Sequence, residues 1–193
     1  MNINFFPYPL LIGLLTLFIF LSFLLKQRRN SIYLLCFCLC FCYLLLVLDI
    51  TFFPIQAPQN WPGNVTSQNA QWILSHVNLI PFSFGNLFTA NASTIFLQLA
   101  GNILVTIPFG FGLALLARIS VRRALWLALF AGIALEGTQL VIELLGLIAA
   151  YGHSIDINDM LLNTAGVLVG YSIASLFTRM KPEWIQQIHR IKK

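Results

Sequence analysis

The chain has 193 residues, of which 59% are hydrophobic and only 9% are charged, and its mean hydropathy is +0.84. Such a composition leaves too little polar surface for a water-soluble domain, so it excludes an ordinary soluble fold. The formal net charge of +5 gives no indication of nucleic-acid binding, because the basic residues stand at the ends of long apolar segments.

The apolar residues are grouped in five segments of a length that suits bilayer-spanning helices. The sequence therefore predicts an all-α fold, a polytopic transmembrane bundle of about five helices. The first segment has no Lys or Arg before it, so we expect it to stay in the protein as an anchor. In chain order the predicted spans are Phe5 to Leu25, Ile32 to Phe53, Ile95 to Ala117, Ala124 to Ile148 and Met160 to Phe177.

All eleven basic residues belong to three groups that follow the first, third and fifth spans. With five spans these groups fall on one side, which the positive-inside rule assigns to the cytoplasm, in contact with anionic lipid. We expect the N-terminus outside and the C-terminus in the cytoplasm. The groups are Lys26, Arg28 and Arg29; Arg118, Arg122 and Arg123; and Arg179, Lys181, Arg190, Lys192 and Lys193.

These elements divide the chain into four predicted parts. Residues 1–53 form two N-terminal transmembrane helices, and residues 54–94 form an extracytoplasmic loop at the membrane interface, rich in aromatic and amide side chains. Residues 95–177 form a three-helix core. Residues 178–193 form a cytoplasmic amphipathic tail that is expected to lie at the membrane interface, with Trp184, Ile185, Ile188 and Ile191 on one side.

The acidic residues are distributed in the opposite way, since only Glu183 lies in a predicted cytoplasmic position. In the fourth span, Glu136, Gln139 and Glu143 fall on one helix face. A carboxylate that faces lipid costs at least about 2.5 kcal/mol at the membrane centre, so we expect Glu136 to face the bundle interior or a water-filled cavity.

The third and fifth spans repeat this arrangement. Asp156, Asp159 and Asn163 share a face if the fifth helix begins early, and Asn102 of the third span lies at a depth similar to that of Glu136. The sequence thus predicts a polar cluster near the outer face. For its amides, helix packing is an equally good explanation, whereas a functional role is favoured for its carboxylates.

Small residues and a proline predict how these spans pack. Gly166 and Gly170 form a small-xxx-small pair, which lets a neighbouring helix approach closely. Pro108 and Gly110 are expected to loosen the cytoplasmic half of the third span.

A divalent-cation site is chemically conceivable at the same end, because hard oxygen ligands suit Mg²⁺ or Ca²⁺. Its ligands would come from Asp156, Asp159, Glu136 or Glu143 and His153. Acidic residues at a helix N-terminus also stabilise the helix dipole without any metal, and this explanation is favoured. We therefore assign no metal ligand and no cofactor.

Four short motifs occur in a fixed order over roughly residues 78–175, and their order and spacing resemble the VanZ-like membrane proteins. They are Asn-Leu-Ile-Pro-Phe from Asn78, Asn-Ile-Leu-Val-Thr-Ile-Pro-Phe-Gly from Asn102, Glu-Gly-Thr-Gln from Glu136, and Asp-Ile-Asn-Asp-Met-Leu-Leu-Asn-Thr-Ala-Gly from Asp156, followed by Gly170.

The resemblance implies a multi-pass protein of the bacterial cell membrane that is linked to the envelope, since the founding member is associated with teicoplanin resistance. The sequence departs from the family in one respect: His153 stands where an Arg is expected. A His is charged only part of the time near neutral pH, so a permanent ion pair with Glu136 or Glu143 is not expected.

Three functions stay open. The resemblance favours a protein that binds or modifies a cell-surface or lipid-linked cell-wall component, or the glycopeptide itself, at the outer leaflet. A membrane enzyme acting on a polyprenyl- or phospholipid-linked substrate would use Glu136 or Asp159 as acid, base or metal ligand, but no nucleophile motif supports it. A small transporter or structural partner would be expected to show an inverted repeat or a continuous polar path, and neither is visible in the sequence.

Overall fold

The computed structural model describes residues 2–56, 67–83, 92–145, 147 and 156–191. Its described residues form eight α-helices, one π-helix and two strands of two residues each, so the fold is all-α. The strands β1 (Asn2–Ile3) and β2 (Ile55–Gln56) pair antiparallel at one end of the first two helices. The helices are α1 (Tyr8–Lys26), α2 (Ser31–Phe52), α3 (Ser67–Ser75), α4 (Ala92–Leu104), α5 (Ile107–Gly112), the π-helix (Leu113–Ala117), α6 (Val121–Leu144), α7 (Ile157–Met180) and α8 (Pro182–His189).

Five helical segments of the described chain are long and apolar enough to cross a membrane, which confirms the predicted bundle. They correspond to α1, α2, the composite helix Leu99–Ala117, α6 and α7. Large apolar side chains cover their outer surfaces: Phe18 is 66% exposed and Phe130 is 68% exposed. These surfaces suit contact with lipid, in which apolar side chains need no protein partner.

The third span is interrupted between α4 and α5, close to the predicted weak point. Pro108 has no N–H group, so the carbonyl of Leu104 loses its usual helical donor. The hydroxyl of Tyr43 compensates from α2, because it donates to the carbonyl of Val105 at 2.6 Å and lies 3.5 Å from that of Leu104. The span then continues through α5 and the π-helix.

Helix α7 is the central helix and packs against α4, α5 and α6. Glycines permit this packing, because a Cβ at Gly170 would collide with the carbonyl oxygen of Ile107, and one at Gly110 would collide with that of Val167. A Cβ at Gly166 would likewise meet Thr106. The helix backbones are therefore in direct contact.

The described residues of the three basic groups lie at one end of the bundle. There Arg29 forms an antiparallel β-bridge with Ile191, and Arg118 Nη2 donates to the Ile185 carbonyl at 3.0 Å. These contacts join the ends of the spans to the tail. Helix α8 is docked rather than only interfacial, because Ile188 is 4% exposed in a cluster with Leu24, Tyr33 and Leu115.

His189 adds to this docking, with its Nε2 atom 2.8 Å from the Leu115 carbonyl. Burial lowers the pKa of His189, and the guanidinium groups of Arg118 and Arg29 lower the pKa further, while the Leu115 contact opposes them. The residue therefore docks the tail mainly in its neutral form near pH 7.

The predicted interfacial loop, residues 54–94, falls in part outside the described residues. Within the described part, α3 contacts α6 and Ile73 is only 5% exposed. This helix is therefore packed on the bundle.

Candidate functional site

The site is at the end of the bundle opposite the basic groups, where α7 begins. Asp156 caps this helix: its Oδ1 atom accepts from the backbone N–H of Asn158 at 2.8 Å and from the Asn158 side-chain amide at 2.8 Å. Capping explains why α7 begins at Ile157, three residues earlier than the predicted Met160. The early start places Asp159 and Asn163 on the first two turns.

The segment from Asn78 to Ser83 is fixed against the start of α7 by hydrogen bonds. The Asn78 carbonyl accepts from the N–H of Ile157 at 2.9 Å, and the Asn78 side-chain amide donates to Asp156 Oδ1 at 3.0 Å. The same amide donates to the Ser83 carbonyl at 2.7 Å. Two motifs that are far apart in the sequence therefore meet at the site.

Asn158 completes this connection from a buried position, since it is 4% exposed. Its Oδ1 atom accepts from the N–H of Phe82 at 2.7 Å, and its Nδ2 atom donates to the Ser83 carbonyl at 3.0 Å. Asn158 was not among the predicted site residues. The signal that could have found it was its place in the Asp-Ile-Asn-Asp motif, two residues after the capping aspartate.

The connected segment presents apolar side chains beside the polar site. Leu79, Ile80 and Phe82 are 70%, 67% and 79% exposed, respectively. Phe82 has a φ of 61°, a left-handed conformation that is uncommon for an aromatic residue. The hydrogen bond to Asn158 helps to stabilise it, and the turn holds an apolar edge next to the acidic groups.

Deeper in the bundle, α6 and α7 form a buried polar pair. Asn163 Nδ2 donates to Glu136 Oε1 at 3.4 Å, and these residues are 3% and 9% exposed. The Asn163 carbonyl accepts from Thr106 Oγ1 at 2.8 Å, which fixes the level of α7 against the third span. Within the described part of the chain, the buried Oδ1 atom of Asn163 has no hydrogen-bond partner.

Further carboxyl groups surround this pair. Asp159, Asp156 and Glu143 all lie close enough to the Glu136 carboxyl group to interact with it electrostatically. Glu143 is 3% exposed, whereas Asp156 and Asp159 are half-buried. The acidic cluster thus extends from the N-terminus of α7 to the buried amide of Asn163.

The structure places the other predicted site residues as follows. Asn102 is half-buried on α4 and its carbonyl accepts from Thr106 Oγ1 at 3.2 Å, while the side chain that hydrogen-bonds Glu136 is that of Asn163. Gln139 is half-buried on α6. Pro108 lies in the first turn of α5. His153 lies outside the described residues.

This arrangement is suited to accepting hydrogen bonds. Carboxylates and an unpartnered amide oxygen attract hydroxyl, amide or ammonium donors, because a buried acceptor without a donor is costly. In the described ranges, no group of three or more His, Cys, Asp or Glu residues is arranged so that it could hold a metal ion.

Comparison with known proteins relates the chain to one family. The family described as VanZ/LLP1 matches residues 40–178, which include most of α2, α3 to α6, all but the last two residues of α7 and every residue of the site. Neither a curated protein nor a solved structure matches the chain.

Proposed function

We propose, since the chain belongs to the VanZ/LLP1 family, that it is a bacterial cell-envelope protein that lowers susceptibility to glycopeptide or lipoglycopeptide antibiotics. It does so by binding or modifying a cell-surface or lipid-linked component at the outer leaflet. Residues 40–178 carry the family match, and the acidic site lies wholly within this range.

The observation that carries the proposal is the Glu136–Asn163 pair. Its amide oxygen is buried without a partner, beside a carboxyl group that has three further acids around it. Buried carboxylates are expensive in a bilayer, and the unpartnered amide oxygen of Asn163 adds to the cost, so helix packing alone explains this pair poorly. A ligand with hydroxyl or amide donors would satisfy it.

The apolar edge beside the site indicates what kind of ligand this is. Leu79, Ile80 and Phe82 suit the hydrocarbon part of an amphipathic molecule, while Asp156 and Asp159 suit its polar headgroup. A lipid-linked sugar or peptide combines these two chemistries. The positive-inside rule assigns the acidic end to the outer leaflet, where such a component is accessible to a glycopeptide.

The test is to produce the full chain in a susceptible bacterium and to measure the growth-inhibiting concentration of teicoplanin. We expect Glu136→Gln and Asp159→Asn to reduce protection to the level of cells without the protein, with normal amounts of protein in the membrane. Asp49→Asn is the matched control, because Asp49 is a half-buried carboxylate of α2. It should retain protection.

Unchanged protection in both cluster variants would contradict the proposal. A fall in membrane abundance that accompanies the loss would instead assign these residues to helix packing.

The proximity of the carboxyl groups favours one alternative, a membrane enzyme. Two carboxyl groups that face one substrate can divide the work of general acid and general base between them. An enzyme would convert a purified polyprenyl-linked precursor in detergent, and Glu136→Gln would abolish turnover while the lipid still bound. A binding protein would retain the lipid unchanged.

A further inference from the structure

A pocket lies at the basic end of the bundle, opposite the acidic site, and takes no part in that site. This cavity of about 450 Å³ opens where the π-helix ends, α6 begins, and α7 is followed by α8. Its lining includes Arg118, Ile119, Val121, Tyr171, Arg179 and Ile185.

Arg118 and Arg179 both line this pocket, and the lining contains no acidic residue. Arg118 Nη2 donates to the carbonyl of Ile185 at 3.0 Å, so its side chain is held at the pocket. A guanidinium group has five N–H donors, and one such hydrogen bond leaves others for a ligand.

The backbone at Arg118 is in a conformation that favours glycine. Its φ is 49°, in the left-handed region, where the helix turns back toward α6. This conformation is unfavourable for arginine, and it accompanies the contact of the guanidinium group with Ile185 of the pocket lining.

The remaining walls combine polar and apolar groups. Val121, the first residue of the 24-residue helix α6, lines the pocket, so the positive end of that helix dipole is directed toward it. The Tyr171 hydroxyl donates a hydrogen bond to the Ile119 carbonyl at 2.8 Å, which links two lining residues of the pocket. Ala114, Ile119 and Ile185 supply apolar surface for a glycerol or acyl group.

We propose that this pocket binds a phosphate group, supplied either by the headgroup of an anionic phospholipid or by free phosphate. Arginine pairs match the geometry and charge of phosphate oxygens and bind them through two parallel hydrogen bonds. The pocket is at the level at which the spans end, where phospholipid phosphates lie. It would anchor the junction of α6, α7 and α8 to the inner membrane surface.

The test uses the full chain purified in a neutral detergent and titration calorimetry with three probes: dihexanoylphosphatidic acid, inorganic phosphate and dihexanoylglycerol. We expect the phosphatidic acid to bind the wild type, and Arg118→Gly and Arg179→Gln to weaken that binding by about tenfold or more. Arg118→Gly relieves the left-handed backbone but also removes the hydrogen bond to the Ile185 carbonyl, so Arg179→Gln, which leaves that bond in place, is the deciding variant.

Arg28→Gly is the matched control. Arg28 has a φ of 55°, is exposed and belongs to the basic group after α1, so the substitution removes the same charge and relieves the same backbone conformation outside the pocket. It should bind like the wild type.

Binding of the phosphatidic acid alone would identify a lipid headgroup, and equal binding of inorganic phosphate would identify free phosphate. The proposal is overturned if neither phosphate probe binds, if dihexanoylglycerol binds equally well, or if Arg28→Gly loses as much affinity as Arg118→Gly.

Discussion

Asn158 shows how one buried amide organises the site without belonging to the acidic cluster itself. It joins the Asp156 cap of α7 to Phe82 and Ser83, which come from a segment some 75 residues earlier in the chain. Phe82 depends on it most, because its left-handed backbone donates its N–H group to Asn158 Oδ1. The apolar edge is positioned through this contact.

We therefore expect Asn158→Ala to destabilise the protein by about 2 kcal/mol, because it removes the partner of the Phe82 N–H and one of the two donors to the Ser83 carbonyl. The midpoint of thermal unfolding of the purified protein in detergent measures this change. Gln71→Ala removes an exposed amide of α3 and should leave the midpoint unchanged. Equal midpoints for both variants would show that the Asn158 hydrogen bonds contribute nothing to stability.

At the residue scale, the sequence predicts which helix faces are polar but not which side chains meet. Helical spacing puts Glu136 and Asn163 on inward faces, as found, because a charged group must avoid lipid. Glu136 pairs with Asn163 rather than with Asn102 because of the position of α7 along its axis relative to the neighbouring helices. Backbone contacts at glycines and the Thr106 hydrogen bond set this axial position. The residue pattern of a single helix does not reveal such contacts.

At the scale of the helix, α7 is stabilised by backbone packing in addition to side-chain contacts. Carbonyl groups of the third span lie against Gly166 and Gly170, on the same face as Asn163. Close backbone approach of this kind substitutes for the hydrophobic effect, which does not drive helix association in lipid. The spacing of the two glycines makes this packing predictable from the sequence.

Gly170→Ala should lower the free energy of unfolding by about 1–3 kcal/mol, because the new methyl group meets the backbone of Ile107 and Phe111 rather than a movable side chain. The change is measured as a shift in the unfolding midpoint in detergent. Gly137→Ala in α6 is the control, since a Cβ there has no atom within 4 Å.

That control should be neutral or stabilising by about 0.5–1 kcal/mol, the usual gain from replacing glycine within a helix. If the two substitutions had the same effect, the glycine contacts of α7 would not limit its packing.

At the scale of the whole molecule, charge is sorted along the helix axes. The ends of α1, the π-helix and α7 meet the tail at one end, while Asp156, Asp159 and Asn78 meet at the other. The counting of basic residues predicts this separation without any knowledge of packing. The assignment of the basic end to the cytoplasm follows from the positive-inside rule and stays a prediction.

Labelling of single cysteines with a membrane-impermeant maleimide tests that assignment, after Cys36, Cys38, Cys40 and Cys42 are replaced by alanine. A cysteine at Leu79, which is 70% exposed beside the acidic site, should react in intact cells. A cysteine at the exposed Gln186 of α8 should react only after the membrane is permeabilised. The reverse pattern would invert the topology and place the acidic site inside the cell.

The tail was less predictable than the spans. Its apolar residues were assigned to the membrane interface, and Trp184 is indeed 58% exposed, yet Ile188 is buried among α1, α2 and the π-helix. An amphipathic pattern fixes which face is apolar but not whether that face meets lipid or protein. Here the tail meets protein, because His189 contacts the Leu115 carbonyl and Arg118 donates to the Ile185 carbonyl. The sequence does not single out either carbonyl group.

The hydroxyl of Tyr43 gives the N-terminal helix pair a role beyond anchorage. Where the third span breaks, this phenol supplies the donor that water would supply in a soluble protein. A truncated chain that lacked α1 and α2 would expose the orphaned carbonyls of Leu104 and Val105 to hydrocarbon, at a cost of several kcal/mol. The Tyr43 contact therefore couples the stability of the third span to the presence of α2.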